Sequence, residues 1–197
     1  MKNAVGRDIP EALLVNGKEV YQGKNYMDGK YLQKAAPRTR RYEKPQESKI
    51  VETLADALRQ CGAKDGMTFS FHHHLRNGDY VLNMVLEAIA ELGIGDLTVN
   101  ASSLFDAHRP LKEHIKNGVV TTLQTDYMSR ELGRFISAGG MKNPVQFRTH
   151  GGRPCDIENG KTPIDVAFIA APASDAMGNC TGKIGKSACG SLGYAIP

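Results

Sequence analysis

Apolar residues recur at two different spacings beyond residue 48, and the two spacings alternate along the chain. A spacing of three or four residues, typical of an amphipathic helix, predicts helices over 48–61, 80–92, 110–117 and 128–138. Short apolar and β-branched runs predict strands at 67–71, 97–101, 119–123, 144–147 and 164–170. The last run is nearly continuous in apolar residues, as in a buried parallel strand. The alternation predicts an α/β fold with a mostly parallel open sheet and helices on both faces.

The two ends of the chain differ from its middle. Residues 1–45 carry many charges, three prolines and little periodicity, so they predict an N-terminal extension. We expect residues 46–197 to form an α/β domain. The stretch 178–193 is rich in glycine, lysine and serine, and residues 192–196 have the pattern of a strand. Because a doubly wound domain rarely ends as it enters its sheet, we expect the domain to be incomplete in this chain.

Three consecutive histidines lie between the first predicted strand and the helix that follows it. We name residues 72–79 the histidine loop. In an open α/β sheet, strand-to-helix connections line the crevice at the carboxyl ends of the strands, where ligands bind. The free N–H groups of the following helix can hold an anion. The candidate binding residues of the loop are His72, His73, His74, Arg76, Asn77 and Gly78.

Three interpretations of the histidines remain open. A metal site is disfavoured, because consecutive side chains do not easily converge on one ion and the chain lacks the ligand spacing of a structural zinc site. We therefore predict no bound metal. The second interpretation is a polar loop in which one histidine caps the helix. The third is a loop that lines a ligand site with imidazole groups and backbone donors.

Two further loops, 148–153 and 171–182, also follow predicted strands. Since parallel strands end at a common edge of the sheet, we expect these loops to meet the histidine loop there. Adjacent glycines allow backbone to approach a ligand closely, although simple tight turns would need the same glycines. The candidate binding residues of these loops are Gly151, Gly152, Arg153, Asp175, Gly178 and Asn179.

Charge and cysteine content narrow the classes of function. The formal net charge of +4, much of it before residue 50, is too small for a nucleic-acid-binding face. An anionic small molecule or an acidic partner protein fits it better. The four cysteines form neither a metal motif nor a disulfide framework. Because the sequence shows no signal peptide and no apolar stretch of transmembrane length, we expect a cytoplasmic protein that binds neither nucleic acid nor membrane.

Several stretches resemble a known family. Residues 127–140, followed by a short strand and the glycine pair at 151–152, resemble the amino-terminal half of family I CoA-transferases. Residues 175–179 resemble the Asp-x-x-Gly-Asn turn of that family. The stretches 71–79 and 171–175 are similar to citrate lyase α subunits, which are citrate CoA-transferases. The resemblance covers almost the whole chain, and it implies the NagB/RpiA-like α/β fold of CoA-transferases.

The resemblance implies an acyl-transfer reaction. Members of the family exchange a thioester between carboxylates, and the citrate-specific members move an acyl-carrier thiol from acetate to citrate, which gives citryl carrier and acetate. The implied partners are a β subunit, which cleaves the citryl thioester, and an acyl-carrier γ subunit, in an oligomeric complex. The CoA-like phosphopantetheine group belongs to the carrier, so the resemblance implies no cofactor bound by this chain.

The resemblance also implies that the nucleophile lies outside this chain. Family members attack the thioester with a glutamate from the second half of the fold, so we expect the isolated chain to be inactive. Glu158, in the sequence Glu-Asn-Gly, superficially matches the surroundings of that glutamate, but we interpret it as a solvated loop residue. The histidine loop replaces the family's glycine-rich loop. Its histidines and Arg76, with Arg153, are expected to bind the carboxylates of citrate.

Two other functions are compatible with the pattern. A sugar-phosphate isomerase would share the sheet architecture, but it would need a phosphate loop with clustered lysine or serine after the first strand, which this sequence lacks. A non-catalytic chain would only bind a substrate or a partner. An assay of acetyl-CoA:citrate transfer distinguishes the catalytic from the non-catalytic alternative.

Overall fold

A five-stranded parallel sheet forms the centre of the unit Lys44–Pro197. The computed structural model describes residues 1–3, 6–15, 17, 19–20, 48–72 and 77–190. The strands of the sheet are β1 (Thr68–His72), β2 (Leu97–Leu104), β3 (Val120–Met128), β4 (Gln146–Phe147) and β5 (Val166–Ile169). They lie in the order β4-β3-β2-β1-β5, and every pairing is parallel. A short antiparallel pair follows, formed by β6 (Ala173–Ser174) and β7 (Cys180–Thr181).

Helices flank this sheet. The α-helices in the described part of the unit are α1 (Leu54–Gln60), α2 (Val81–Glu91), α3 (Leu111–Lys116), α4 (Arg130–Phe135) and α5 (Gly152–Glu158). A 3-10 turn, Asp106–His108, follows β2, and a π-helical turn, Ile136–Gly140, follows α4. The parallel sheet and its helices confirm the predicted α/β class.

One face of the sheet forms the hydrophobic core. Phe69 and Phe71 alternate with Ser70 along β1, so their side chains point to the face opposite Ser70. Both are buried in one apolar cluster with Val99 of β2. Helices α1 to α4 each contribute a buried residue to the same cluster: Leu58, Val85, Leu111 and Leu132. These four helices therefore pack on the apolar face.

The opposite face carries polar side chains in register. We name Ser70, Asn100, Gln124 and Gln146 the polar row, because they pair in turn across β1 to β4. The side-chain amide of Asn100 donates to Gln124 Oε1 (2.8 Å), and that of Gln124 donates to Gln146 Oε1 (3.2 Å). Helix α5 lies against this face, since its Arg153 donates to the row. Helices therefore cover both faces, although parallel sheets are usually apolar on both.

Helix α1 begins later than the apolar spacing predicts. The expected helix over 48–61 starts only at Leu54, because the hydroxyl of Thr53 accepts a hydrogen bond from the Asp56 N–H (3.1 Å) and caps the helix there. Ile50, which the spacing placed on the apolar face, lies outside the helix and is exposed. Strands β2 and β3 extend well beyond the predicted ranges, so α4 also begins later, after Ser129.

Two expectations near the end of the sheet are wrong. Arg153 and Glu158 were expected on loops, but both lie in α5, and Glu158 is its exposed last residue. The glycines before Arg153 and Pro154 after it conceal the helix, although proline is tolerated in a first turn. The run 164–170 was expected to form a buried strand, whereas β5 is short and lies at an edge of the described sheet. As a result, Ile169 is 42% exposed.

Residues Met1–Glu43 form the second compact unit of the chain. Among its described residues, Lys2 and Asp8 form an antiparallel bridge, and Glu11–Leu13 form a 3-10 turn. The boundary of the extension at residue 45 stays a prediction. Across the described ranges of the chain, no helix has both the length and the apolar character needed to cross a bilayer.

Candidate functional site

The strand order reverses at β1. This strand pairs with β2 on one side and with β5 on the other, although β2 follows it directly and β5 comes last in the sheet. At such a reversal, the connections leaving the two strands diverge and open a crevice where ligands bind. The histidine loop leaves β1 at this point, and the segment that carries Asp175 leaves β5. The segment that leads into α5 and Arg153 leaves the same carboxyl edge, after β4.

A small, partly open cleft lies at the carboxyl end of β1, and we name it the β1 cleft. Much of its wall is apolar, including the stacked rings of Phe71 and Phe168, whose centroids are 5.2 Å apart. Its polar lining residues are His72, Asp79, Ser103 and His108. Small-molecule sites typically combine apolar walls with a few placed polar groups. The β1 cleft is therefore the candidate functional site.

The structure brings part of the predicted histidine site to this cleft. His72 is the last residue of β1, is half-buried and lines the cleft. Gly78 is half-buried, whereas Asn77 is exposed. The predicted binding residues His73, His74 and Arg76 lie outside the described residues, so their role stays a prediction.

Residues 77–79, which we name the 77–79 turn, contact a buried histidine that follows β2. The side chain of His108 is 2% exposed. Its Nδ1 accepts a hydrogen bond from the Phe105 N–H (3.0 Å), and its Nε2 lies 3.1 Å from the carbonyl oxygen of Asp79. Since a backbone N–H can only donate and a carbonyl can only accept, these partners select the neutral tautomer protonated at Nε2.

Gly78 lies close to the ring of His108. Its φ is 86°, in the left-handed region that favours glycine. A Cβ at this position would lie only 2.9 Å from Cε1 of His108. After Gly78, Oδ1 of Asp79 accepts a hydrogen bond from the Val81 N–H (2.7 Å), at the start of α2. The turn thus combines a backbone conformation and a close contact that both favour glycine.

Arg153 lies in the protein interior, on the polar face of the sheet. It is 2% exposed and is among the largest fully buried side chains. Its Nε donates to Asn100 Oδ1 (2.7 Å), and its Nη2 donates to Ser70 Oγ (2.8 Å). Its Nη1 is buried without a hydrogen-bond partner among the described residues. The two glycines that precede it lie at the start of α5, where the Gly152 N–H donates to Thr149 Oγ1 (2.9 Å).

Asp126 brings a negative charge to the same face. Its side chain is 8% exposed, and its Oδ2 lies 3.0 Å from Nδ1 of the exposed His150. Burial raises the pKa of Asp126 above its ordinary value, while the charges of His150 and Arg153 act in the opposite direction. Burial likewise lowers the pKa of Arg153, against the effect of Asp126. These groups form a partly compensated set of charges beside the polar row.

Replacing Asp126 with asparagine should change how stability depends on pH. Because the folded-state pKa of Asp126 is raised, its contribution to stability is complete below the unfolded-state pKa of about 3.9 and is lost as the pH rises through the folded-state value. Asparagine does not titrate. We therefore expect the unfolding free energy of Asp126→Asn, relative to the unsubstituted chain, to increase with pH above about 4. Denaturant titrations at several pH values measure this difference.

Asp175→Asn is the matched control, with the opposite sign. The side-chain amide of Asn179 lowers the pKa of Asp175, together with hydrogen bonds from backbone N–H groups. The carboxylate therefore stabilises the fold above the unfolded-state pKa, and the relative stability of Asp175→Asn should fall as the pH rises. A relative stability of Asp126→Asn that stays level or falls with pH would contradict the first expectation.

The predicted turn after β5 is organised by its own aspartate. Oδ1 of Asp175 accepts hydrogen bonds from the backbone N–H groups of Met177 and Asn179, both at 2.9 Å. Oδ2 accepts from the Asn179 side chain (2.8 Å), and Gly178 takes a φ of 83°. All of these residues are exposed. The aspartate and the glycine thus have a structural reason to occupy the turn, and their predicted role in binding is untested.

The sequence of the chain matches a known protein family. The family model described as "Citrate lyase, alpha subunit (CitF)" matches residues 47–197. The chain belongs to the citrate lyase alpha subunit family. The predicted resemblance is therefore confirmed.

Members of the citrate lyase alpha subunit family are similar in sequence and in structure. The citrate lyase alpha chain of Klebsiella pneumoniae is 53% identical over 149 residues, covering 76% of this chain and 29% of the relative. That of Escherichia coli K12 is 46% identical over 165 residues, covering 84% and 32%. A Streptococcus mutans crystal structure, assigned as the alpha subunit of citrate lyase in complex with citrate, has a TM-score of 0.74 and 42% identity. It covers 98% of this chain and 37% of its own. The chain thus spans about a third of the curated relatives' length.

The sequence pattern did not single out several residues that contact, or lie close to, the predicted binding residues of this family member. Ser70 in β1, Asn100 in β2 and Asp126 in β3 all have their side chains on the polar face of the sheet. The alternation of polar with apolar residues in β1 to β3 was a usable signal for that face. His108 had no such signal, because its partners Phe105 and Asp79 are brought to it by the packing of a 3-10 turn against a loop.

Proposed function

We propose that the chain contributes to a citrate CoA-transferase, which exchanges the acetyl group on an acyl-carrier thioester for citrate and yields citryl carrier and acetate. The observation that carries this proposal is the citrate bound to the Streptococcus mutans relative, whose structure matches 98% of the chain. The β1 cleft supports it, because the cleft lies where the strand order reverses and is lined by the predicted binding residue His72.

The proposed chemistry needs a carboxylate nucleophile. A glutamate, expected outside this chain, attacks the acetyl thioester and expels the carrier thiolate, forming a mixed anhydride. The thiolate then attacks the glutamyl carbonyl and releases acetate. A carboxylate of citrate attacks the resulting glutamyl thioester and expels the thiolate, forming a second mixed anhydride. The thiolate then attacks the citryl carbonyl of this anhydride and releases the glutamate. Each step transfers an acyl group without net oxidation.

The predicted binding residues have the chemistry to recognise an anion. Citrate carries about three negative charges at neutral pH, because carboxyl pKa values lie near 4. In the proposal, the imidazoles of His72, His73 and His74 and the guanidinium of Arg76 contact these carboxylates. Arg153 can contribute only through Nη1, since Nε and Nη2 donate to the sheet.

The proposal also covers partners and surroundings. The acyl thioester would be carried by a phosphopantetheine-type group on an acyl-carrier γ subunit, and a β subunit would cleave the citryl thioester. We expect the chain to act within such an oligomeric complex in the cytoplasm. Binding of this chain to the isolated carrier protein tests the partnership directly.

Citrate-dependent release of labelled acetate from an acetyl carrier tests the activity. We expect release by a full-length citrate lyase alpha chain in which this sequence replaces the matching segment, reconstituted with a β subunit and carrier. We expect none from the 197-residue chain with the same partners, because the proposed nucleophile is outside it. Release by the 197-residue chain alone would contradict the assignment of the nucleophile. Absence of release from the complete complex would contradict the transferase proposal itself.

A further inference from the structure

We infer that His108 is a positioning residue, which fixes the 77–79 turn at the mouth of the β1 cleft. The turn contains Asn77 and Gly78, both predicted to bind substrate. The inference about substrate binding rests on the proposed function. The inference about the geometry of the turn rests on the contacts of His108 alone.

The hydrogen bonds of His108 join two separate segments of the chain. The Phe105 N–H donates to Nδ1 within the 3-10 turn that follows β2. The Nε2–H donates to the carbonyl oxygen of Asp79, 29 residues earlier, in the loop that follows β1. Because one nitrogen must accept and the other must donate, the ring fits in one tautomer and one orientation. His108 therefore joins the segments that follow β1 and β2 in one defined geometry.

Two further contacts support this link. The ring of His108 lies so close to Gly78 that a Cβ there would be 2.9 Å from Cε1 and 3.0 Å from Nε2. In addition, the side-chain amide of Asn83, in α2, donates to the carbonyl oxygen of Ala107 (2.8 Å). The 3-10 turn thus contacts both the 77–79 turn and the helix that begins after it. A shift of the turn would have to disturb these contacts together.

The two hydrogen bonds of the His108 ring distinguish a positioning role from a side chain that only fills space in the core. An apolar side chain could fill the same volume, but it would leave the Asp79 carbonyl without this donor. Asparagine can replace the acceptor at Nδ1, whereas glutamine can reach the position of Nε2 and replace the donor. His108→Asn should therefore keep the bond to Phe105 and lose the bond to Asp79, and His108→Gln should do the reverse.

The experiment compares these two variants in a full-length citrate lyase alpha chain in which this sequence replaces the matching segment. Citrate affinity is measured by calorimetry, and the mobility of the 77–79 turn by hydrogen–deuterium exchange of peptides that cover it. We expect His108→Asn to weaken citrate binding about threefold to tenfold, as for the loss of one buried hydrogen bond, and to speed exchange in the turn. We expect His108→Gln to retain affinity and protection close to those of the unsubstituted protein.

His114 provides the matched control, because it is a second buried histidine, on α3. Its Nε2 lies 3.9 Å from Glu87, and it is not among the residues that line the β1 cleft. His114→Asn should leave citrate affinity and exchange of the 77–79 turn unchanged, whatever its effect on overall stability.

The outcomes separate the positioning role from the proposed function. Equal affinity and equal exchange in His108→Asn and His108→Gln would overturn the inference, whether both match the unsubstituted protein or both lose binding in step with stability. If the unsubstituted protein does not bind citrate, the proposed substrate fails. In that case, the exchange of the 77–79 turn still decides the role of His108.

Discussion

Replacing Arg153 with alanine is expected to lower the free energy of unfolding by about 3–5 kcal/mol, the range observed when one member of a buried charged set is removed. The guanidinium donates to Ser70 and Asn100, which are 6% and 2% exposed. Without it, both acceptors stay buried and lack that donor, each at a cost of about 1–3 kcal/mol. The substitution also removes the buried positive charge that opposes the pKa increase of Asp126. Denaturant unfolding measures the loss.

Two control variants separate the causes of this loss. Arg153→Met retains most of the side-chain volume but no donor, so its stability should fall between those of the alanine variant and the unsubstituted chain. Arg59→Ala removes an exposed arginine that pairs with Asp56 on α1, and it should cost less than about 1 kcal/mol. An Arg153→Ala variant as stable as Arg59→Ala would show that the bonds to the polar row contribute little.

Replacing Gly78 with alanine is expected to destabilise the fold by about 2–5 kcal/mol. The left-handed conformation at this position costs a residue with a Cβ about 1–2 kcal/mol. The new methyl group would also lie 2.9 Å from the ring of His108, and overpacking of a buried contact typically costs about 1–3 kcal/mol. The ring cannot withdraw freely, because both of its nitrogens are hydrogen-bonded.

Gly93→Ala is the control for the backbone contribution. Gly93 has a φ of 70°, and a Cβ there would meet no atom within 4 Å. It should therefore show the conformational cost without the contact. Denaturant unfolding of both variants isolates the effect of His108 as the difference between them. Equal losses in the two variants would be inconsistent with a close contact at Gly78.

The local periodicity predicted most helices and strands of the fold, because the spacing of apolar residues within an element reflects which of its side chains are buried. Strands β1, β4 and β5 and helices α2 and α3 lie within or close to the predicted ranges, whereas β2 and β3 begin as predicted and extend further. The position of β5 beside β1 depends on contacts between distant segments, and no local pattern carries that information. Helix α5 escaped prediction because Gly151, Gly152 and Pro154 resemble a turn. The burial of Arg153 in that helix was likewise not predicted.

The candidate site was predictable in outline but not in its contacts. The position of the histidine loop after β1 followed from strand and helix alternation alone. Arg153, in contrast, was expected on a loop, where its guanidinium would bind citrate. Its burial depends on Ser70 and Asn100, which lie 83 and 53 residues away in the sequence. A cationic side chain normally predicts exposure, and only the acceptors supplied by the folded sheet make its burial possible.

The polar row also limits how the strands can be misaligned. A slip of one residue between β1 and β2 would turn Asn100 into the apolar core and bring a valine or alanine beside Ser70. A slip of two residues would preserve the polarity of both faces, so hydrophobic burial alone would tolerate it. It would nevertheless place Thr98 or Ser102 beside Ser70, and neither can supply the carboxamide that Asn100 shares between Arg153 and Gln124. The hydrogen bonds of Asn100 therefore favour the native pairing of β1 and β2 over a pairing shifted by two residues.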